Sequence, residues 1–276
     1  MSRRRPRPVV VVDAESTNPP GLLEQIAAVG RRSVTRTLRQ RALLVFPLVF
    51  PLILFAINGS SLSAATKIPG FPTNSYRAFA LALPFIQGSL FVAVTTGTDL
   101  ARDIETGFFN RLALTPLQGP ALLLGQLGGS LVLACIQAVV YLLVGLATGV
   151  VIVTGVGGAF VLLALAILIA FAFGSLGALL ALRFGTGEAV QGIFPLLFVT
   201  VFLSSSSLPR NLIKVTWFRD VATYNPVSYL IEGIRSLIIT GWDAQALALG
   251  FGFAALLLLI TLALAGAAMK TRLVRT

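Results

Sequence analysis

The sequence predicts an all-α polytopic membrane protein with six transmembrane helices and an amphipathic helix ahead of the first one. Of its 276 residues, 56% are apolar and only 11% are charged, against roughly a quarter charged in an ordinary soluble domain. The apolar residues form six uncharged windows near the ~20-residue length that an α-helix needs to cross a bilayer. These windows are residues 42–57, 78–98, 122–148, 158–182, 189–207 and 246–269.

The composition also excludes several kinds of site. There is no histidine and only one cysteine, Cys135, which rules out a Ser-His or Cys-His dyad, an imidazole or thiolate metal site and an intrachain disulfide. The net charge is +11, but the basic residues are dispersed between apolar runs instead of forming a soluble basic face. We therefore expect no metal, no cofactor bound by this chain and no nucleic-acid partner.

The distribution of basic residues predicts the orientation in the membrane. Fifteen of the 21 Lys and Arg residues lie on the same side of the six windows as the N-terminus, and nine of them precede the first window. Positively charged connections stay in the cytoplasm. Both termini are therefore expected to be cytoplasmic.

The N-terminal segment divides into two parts. Residues 1–20 are rich in Arg and Pro and predict a disordered basic tail. Residues 21–41 separate into an apolar and a polar face at helical spacing, which predicts an in-plane interface helix among anionic membrane lipids. A simple positive anchor for the first span would explain the charge but not the two faces. The arginines of the polar face are Arg31, Arg32, Arg36 and Arg39.

The first window is short and contains Pro47 and Pro51. It predicts a kinked helix that either extends beyond Ile57 or thins the bilayer locally. The alternative, a cleaved signal peptide with residues 63–65 as its cleavage region, would need an n-region of 41 residues, which is far too long. The six-span domain then covers residues 42–269, and residues 270–276 form a basic cytoplasmic tail.

The predicted membrane interior lacks ionisable groups. All ten acidic residues lie outside the six windows or at their edges, so no proton relay or ion site can be built there. A phosphate-binding loop is also missing, because Thr66, Ile213 and Met269 precede the three lysines where that loop needs Gly. Uphill transport by this chain would need a separate nucleotidase.

Two connections carry motifs in a specific order. The connection after the second window contains Glu105-x-Gly107, Arg111-Leu112 and Thr115-Pro116, and Leu124-Gly125 opens the next span. Its charges alone indicate a short amphipathic helix or a solvated loop. The last connection contains Asn225-Pro226-x-x-Tyr229, followed by Glu232 and Arg235. Over about residues 21–270, this order resembles the type-2 ABC exporter permeases, in particular their drug-resistance and lipid-export subgroup.

The resemblance implies a cytoplasmic coupling helix between spans 2 and 3 that docks into an ATP-binding cassette subunit. ATP and Mg would be bound by that partner, and a second permease copy or a related permease would complete the pathway along the first, second and fifth spans. The implied coupling residues are Asp103, Glu105, Gly107, Phe108, Arg111, Leu112, Thr115 and Pro116.

The last connection is also informative by itself. Asn225 can cap a helix with Pro226 at its first position, and apolar residues follow at i, i+3, i+4 and i+7 until Gly241. This predicts an amphipathic extracellular helix. The resemblance implies re-entrant helices between spans 5 and 6 that gate substrate exit, although a cap without a gating role fits the residues equally well. The gate residues would be Asn225, Pro226, Tyr229, Glu232 and Arg235.

Three phenylalanines four residues apart on the fifth span, Phe194, Phe198 and Phe202, can line an apolar substrate path or face lipid or core. The function implied is the permease subunit of an ATP-driven exporter in the bacterial inner membrane, moving a hydrophobic or amphipathic drug, lipid or glycolipid. A polysaccharide permease and a non-transporting scaffold are alternatives. An intramembrane enzyme is disfavoured by the missing histidine and buried acids.

Overall fold

Helices account for most of the chain in the computed structural model, which describes residues 21–107 and 119–275. No β-strand occurs within these two ranges, so the prediction of an all-α protein is confirmed. The α-helices are α1 (Leu22–Arg39), α2 (Arg41–Ser61), α3 (Tyr76–Ala80), α4 (Ala82–Glu105), α5 (Gly119–Gln126), α6 (Gly128–Ala147), α7 (Gly155–Phe184), α8 (Gly187–Phe202), α9 (Thr216–Tyr224), α10 (Pro226–Arg235) and α11 (Ala244–Arg275).

Five segments of the described chain are long and apolar enough to cross a membrane, and they confirm a multi-pass protein. They are Leu44–Ser61, Tyr76–Glu105, Gly119–Ala147, Gly155–Phe184 and Ala244–Arg272. The sixth predicted span corresponds to α8, which has only 16 residues. At ~1.5 Å per residue this helix is shorter than the ~30 Å hydrocarbon core. The count of six spans therefore stays a prediction.

The segment that contains α8 nevertheless extends along the whole length of the α3–α4 segment. At one end, Glu105 Oε1 accepts a hydrogen bond from the Gly187 N–H at 3.0 Å. At the other end, the Tyr76 hydroxyl donates to the Ser207 carbonyl at 2.9 Å. Because Tyr76 and Glu105 are the two ends of that segment, residues 187–207 reach from one end of the bundle to the other. We call these the α1 end, near Glu105, and the far end, near Tyr76.

Prolines explain two features of the early helices. Pro84 has no N–H, and its ring crowds the carbonyl of Ala80, where α3 ends. In α2, Pro51 leaves the carbonyl of Pro47 without its usual donor. The buried Tyr141 hydroxyl of α6 donates to that carbonyl at 2.6 Å. Because this carbonyl has a donor, α2 continues past Pro51 and ends at Ser61. The first helix therefore extends beyond Ile57, which was one of the two predictions for the short first window.

Glycines allow the helices to approach closely. A Cβ on Gly177 of α7 would lie 1.9 Å from the Ala93 carbonyl oxygen of α4. On α5 and α6, Cβ atoms at Gly125 and Gly129 would come within 2.6 Å and 2.5 Å of side-chain atoms of α1. Small residues are the usual means by which membrane helices bring their backbones together. The glycines thus join α4 to α7 and hold α1 against the bundle.

Replacing Tyr141 by Phe should destabilise the protein by roughly 1–3 kcal/mol, because the buried Pro47 carbonyl loses its donor. The matched control is Tyr224→Phe, since the Tyr224 side chain is 84% exposed. Thermal unfolding of the purified protein in detergent measures both variants. Equal melting temperatures for the two variants would contradict the role assigned to Tyr141.

Replacing Gly177 by Ala should cost roughly 1–3 kcal/mol, because the added methyl group overlaps the backbone of α4. At Gly266 of α11, a Cβ meets nothing within 4 Å. Gly266→Ala should therefore leave stability unchanged or raise it slightly through better helix propensity. The same unfolding assay compares the two, and a Gly177 variant as stable as the Gly266 variant would refute the close contact.

Candidate functional site

An ionic cluster joins α1, α4 and α5 at the α1 end of the bundle. Arg36 contacts Asp99 at 3.0 Å and Asp103 at 2.9 Å, and Arg32 contacts Asp103 at 3.4 Å. Gln126 Nε2 donates to the second Asp103 oxygen at 3.0 Å. Asp103 is only 6% exposed. We call these five residues the clamp, because they fasten α1 to the end of α4 that lies at the α1 end of the bundle.

The spacing within each helix explains why the clamp forms. Arg32 and Arg36 are four residues apart, as are Asp99 and Asp103, so each pair projects from one side of its helix. A hydroxyl completes the junction, since Ser33 Oγ donates to the Gln126 carbonyl at 2.8 Å and accepts from the Gly129 N–H at 3.1 Å. Breaking one partner of such a buried pair leaves an uncompensated charge, which is costly.

The structure divides the four predicted interface arginines into two pairs. Arg32 and Arg36 belong to the clamp and point their charges at α4. Arg31 and Arg39 are exposed, on the side of α1 that also carries Ala28 and Thr35. Arg32 is also exposed and lines the same surface pocket as Arg31 and Arg39, so all three are open to lipid headgroups, and that contact stays a prediction.

The predicted coupling residues divide in a similar way. Asp103 is buried in the clamp, whereas Glu105 is exposed and contacts the first residue of α8. Gly107 has a φ of +66°, the left-handed conformation with which glycine commonly ends a helix. The other predicted coupling residues, Phe108, Arg111, Leu112, Thr115 and Pro116, lie outside the described residues.

Six phenylalanines line an open apolar pocket of about 340 Å³ on the surface of the chain, between α2, α4 and α8. The three predicted residues meet there, with ring centroids 5.5 Å apart for Phe194 and Phe198 and 5.4 Å apart for Phe198 and Phe202. The other three phenylalanines were not predicted from the sequence, although two of them share the same four-residue spacing on the first span. They are Phe46, Phe50 and Phe91. We call this pocket the aromatic groove.

At the far end, Asn225 joins α8 to α10. Its Oδ1 accepts from the Val227 N–H at 2.9 Å with Pro226 at the first helical position, so the predicted cap is confirmed. Its Nδ2 donates to the carbonyls of Thr200 at 2.7 Å and Leu203 at 3.1 Å. One side chain therefore begins α10 and satisfies two carbonyls at the end of α8.

Arg235 binds the stretch that follows α8. It is 6% exposed and donates to the carbonyls of Ser205, Ser206 and Phe79 at 3.0, 3.1 and 3.2 Å. Its guanidinium lies 3.4 Å from the centroid of the Phe79 ring, in cation–π contact. The predicted gate residue thus fixes the unwound end of α8 to the start of the α3–α4 segment.

The remaining gate residues form a second ionic contact beside Arg235. Glu232 pairs with Arg210 and accepts from Ser205 Oγ at 3.0 Å. Arg210 also lies 4.8 Å from the Tyr229 ring centroid, and the Tyr229 hydroxyl donates to the Thr223 carbonyl at 2.8 Å. Arg210 and Ser205 were not predicted from the sequence as site residues. The available signal was a run of four serines at the end of a span, followed three residues later by a basic residue.

Comparison with known proteins agrees with this architecture. A family model described as ABC-2 type transporter matches residues 24–239. The daunorubicin resistance ABC transporter permease protein DrrB1 of Streptomyces coeruleorubidus is 26% identical, over 81% of this chain and 84% of the relative. The putative transport permease ycf38 of Porphyra purpurea is 25% identical, over 86% of this chain and 82% of the relative.

The family match covers more than half of the chain and includes nearly all of α1, the clamp, the aromatic groove and the Asn225 cap. Both relatives are permeases that align with most of this chain. The chain therefore belongs to the ABC-2 type transporter family, and it is the transmembrane permease subunit of an ABC exporter.

Proposed function

We propose that this permease moves a hydrophobic or amphipathic drug, lipid or glycolipid out across the bacterial inner membrane, and that a separate ATP-binding subunit supplies the energy. Both termini lie in the cytoplasm, so the α1 end faces the ATP-binding subunit and the far end faces outward. That subunit holds the ATP and Mg. The single observation that carries the substrate class is the aromatic groove.

The chemistry of the groove favours an apolar cargo. Its lining consists of six phenylalanines with Pro195 and Val199, so no side chain there offers a hydrogen bond or a charge. Aromatic faces bind apolar and flat molecules, and they attract cations. A polysaccharide would need donors and acceptors for its hydroxyl groups, which this lining lacks. The drug-resistance name of the Streptomyces relative agrees with a drug as cargo.

The position of the groove supports a pathway shared with a second subunit. Phe46 is 59% exposed and Phe202 is 60% exposed, at the surface of a single chain. A second copy, or a related permease, facing this surface would enclose the groove and create a continuous apolar path. Lipid would otherwise cover it.

The α1 end supports coupling to a soluble partner. The clamp holds α1 to α4, and Glu105 projects beyond it as an exposed carboxylate at the end of α4. The exposed Arg31 and Arg39 contact anionic headgroups and keep α1 at the membrane surface. Closure of the ATP-binding subunits would therefore act on a rigid corner made of α1 and α4.

Purification of the tagged chain from its native membrane in mild detergent tests the proposed partner. We expect a protein with a GxxxxGK[ST] loop to be retained and the complex to hydrolyse ATP. Inside-out vesicles that contain the complex should accumulate daunorubicin only when ATP is present. A permease without any associated ATPase would instead support a non-transporting scaffold.

Replacing Glu105 by Arg should preserve membrane insertion but lower transport and substrate-stimulated ATP hydrolysis at least about tenfold, because losing one partner of a charged contact costs roughly 2 kcal/mol or more. Glu188→Arg is the matched control, since Glu188 is exposed at the same end and also lies by the first turn of α8. Equal transport by both variants would exclude Glu105 from coupling.

Replacing Phe198 by Trp should alter daunorubicin transport, because the larger ring fills part of the aromatic groove. We expect the KM for daunorubicin to change about tenfold, the effect of a small change of shape in an apolar pocket. Phe160 is 68% exposed on α7 and does not line the groove, so Phe160→Trp is the control. An unchanged KM in the Phe198 variant would place the substrate path elsewhere.

A further inference from the structure

The turn between α7 and α8 is only two residues long and is fixed on the α7 side. Arg272 of α11 donates through Nε to the Leu182 carbonyl at 2.6 Å, which satisfies a carbonyl at the end of α7. Its guanidinium lies against Gly185, which has a φ of +82° and where a Cβ would be 2.7 Å from the Arg272 side chain. The end of α7 is thus held by α11.

The α8 side of this turn is held by α4 instead. Thr186 caps α8, with its Oγ1 accepting from the Ala189 N–H at 3.4 Å. The N–H of the next residue, Gly187, donates to Glu105 Oε1 at 3.0 Å. A carboxylate at a helix N-terminus is favoured both by the charge-assisted hydrogen bond and by the helix dipole.

A second contact lies one turn further along α8. The Val190 side chain is 2% exposed. A Cβ on Gly97 of α4 would be 2.6 Å from Val190 Cγ1, so the Val190 side chain packs directly against the backbone of α4 there. Four residues later, Phe194 meets Phe91 of α4 with ring centroids 5.1 Å apart. The first turns of α8 therefore follow α4 up to the aromatic groove.

We propose that Glu105 is a positioning residue that ties the C-terminal end of α4 to the first turn of α8 through the Gly187 N–H. Movement of the end of α4 is then passed directly to the helix that carries half of the aromatic groove. This inference rests on the proposed function, in which ATP-driven motion enters at the α1 end. It assigns Glu105 a partner within its own chain, independent of any contact with the ATP-binding subunit.

Gly187 allows the link to be removed without touching Glu105. It is the first residue of α8, the position at which helices accept proline, and a Cβ there meets nothing within 4 Å. The preceding Thr186 has φ −126° and ψ 144°, the extended conformation that proline requires before it. Gly187→Pro therefore deletes the N–H donor and keeps the helix, whereas Gly187→Ala keeps both.

The test measures ATP hydrolysis and ATP-dependent daunorubicin accumulation for both variants in the intact complex with its ATP-binding subunit. For Gly187→Pro we expect retention of that subunit and basal hydrolysis within twofold of wild type, but at least tenfold lower transport and no stimulation of hydrolysis by daunorubicin. Gly187→Ala should match wild type in all three. A merely structural defect would lower hydrolysis and complex recovery together with transport.

Transport by Gly187→Pro equal to that by Gly187→Ala would overturn the link while leaving the proposed function intact. Failure of the wild-type complex to transport daunorubicin or hydrolyse ATP would instead overturn the proposed function and the link with it. If Gly187→Pro does not fold, transport by Glu105→Gln and Glu105→Leu tests the link instead. Only the glutamine side chain keeps an acceptor for the Gly187 N–H. We expect at least tenfold more transport from the Gln variant, and equal transport would overturn the link.

Discussion

The fold depends on side chains that donate to backbone carbonyls left free where a helix of a membrane protein is interrupted. Hydrocarbon offers no water for this purpose, so an unpaired carbonyl costs several kcal/mol. Pro51 in α2 and the early end of α8 create such carbonyls. Side chains from other helices satisfy them: Tyr141 at Pro47, Asn225 at Thr200 and Leu203, and Arg235 at Ser205 and Ser206. These two interruptions therefore become specific contacts between helices.

These contacts give α8 a distinctive place in the molecule. At the far end, Asn225 and Arg235 hold its last carbonyls and the turn beyond them. At the α1 end, Glu105 holds its first N–H. Between the two ends α8 is only 16 residues long, and its phenylalanines face an open groove. Polar contacts thus anchor both ends of this short helix while its middle is apolar, which is the arrangement that the proposed passage of movement from α4 to α8 requires.

The sequence predicted the local features well, because they depend on neighbouring residues. The Asn225-Pro226 cap and the extent of α1 follow from residue type and helical period. The partners of Asp103 do not, since Arg36 and Gln126 are 67 and 23 residues away along the chain. For the same reason, the two faces read from α1 did not reveal a third, formed by Gln25, Val29 and Thr37, which packs on the bundle. The helical spacing of hydrophobic residues separates apolar from polar side chains. It therefore cannot detect a buried face that contains both kinds.

The end of α4 shows how two similar residues acquire different functions. Asp103 and Glu105 are two positions apart, which turns their side chains by about 200° around the helix. Only Asp103 can then reach α1. Two arginines of α1 and Gln126 of α5 enclose its carboxylate, so this charge stabilises the fold. Glu105 faces the opposite side, toward α8 and solvent. The clamp ties α4 to α1 just before this point, so in the proposed coupling a force on the exposed carboxylate would act on α8 through the Gly187 N–H.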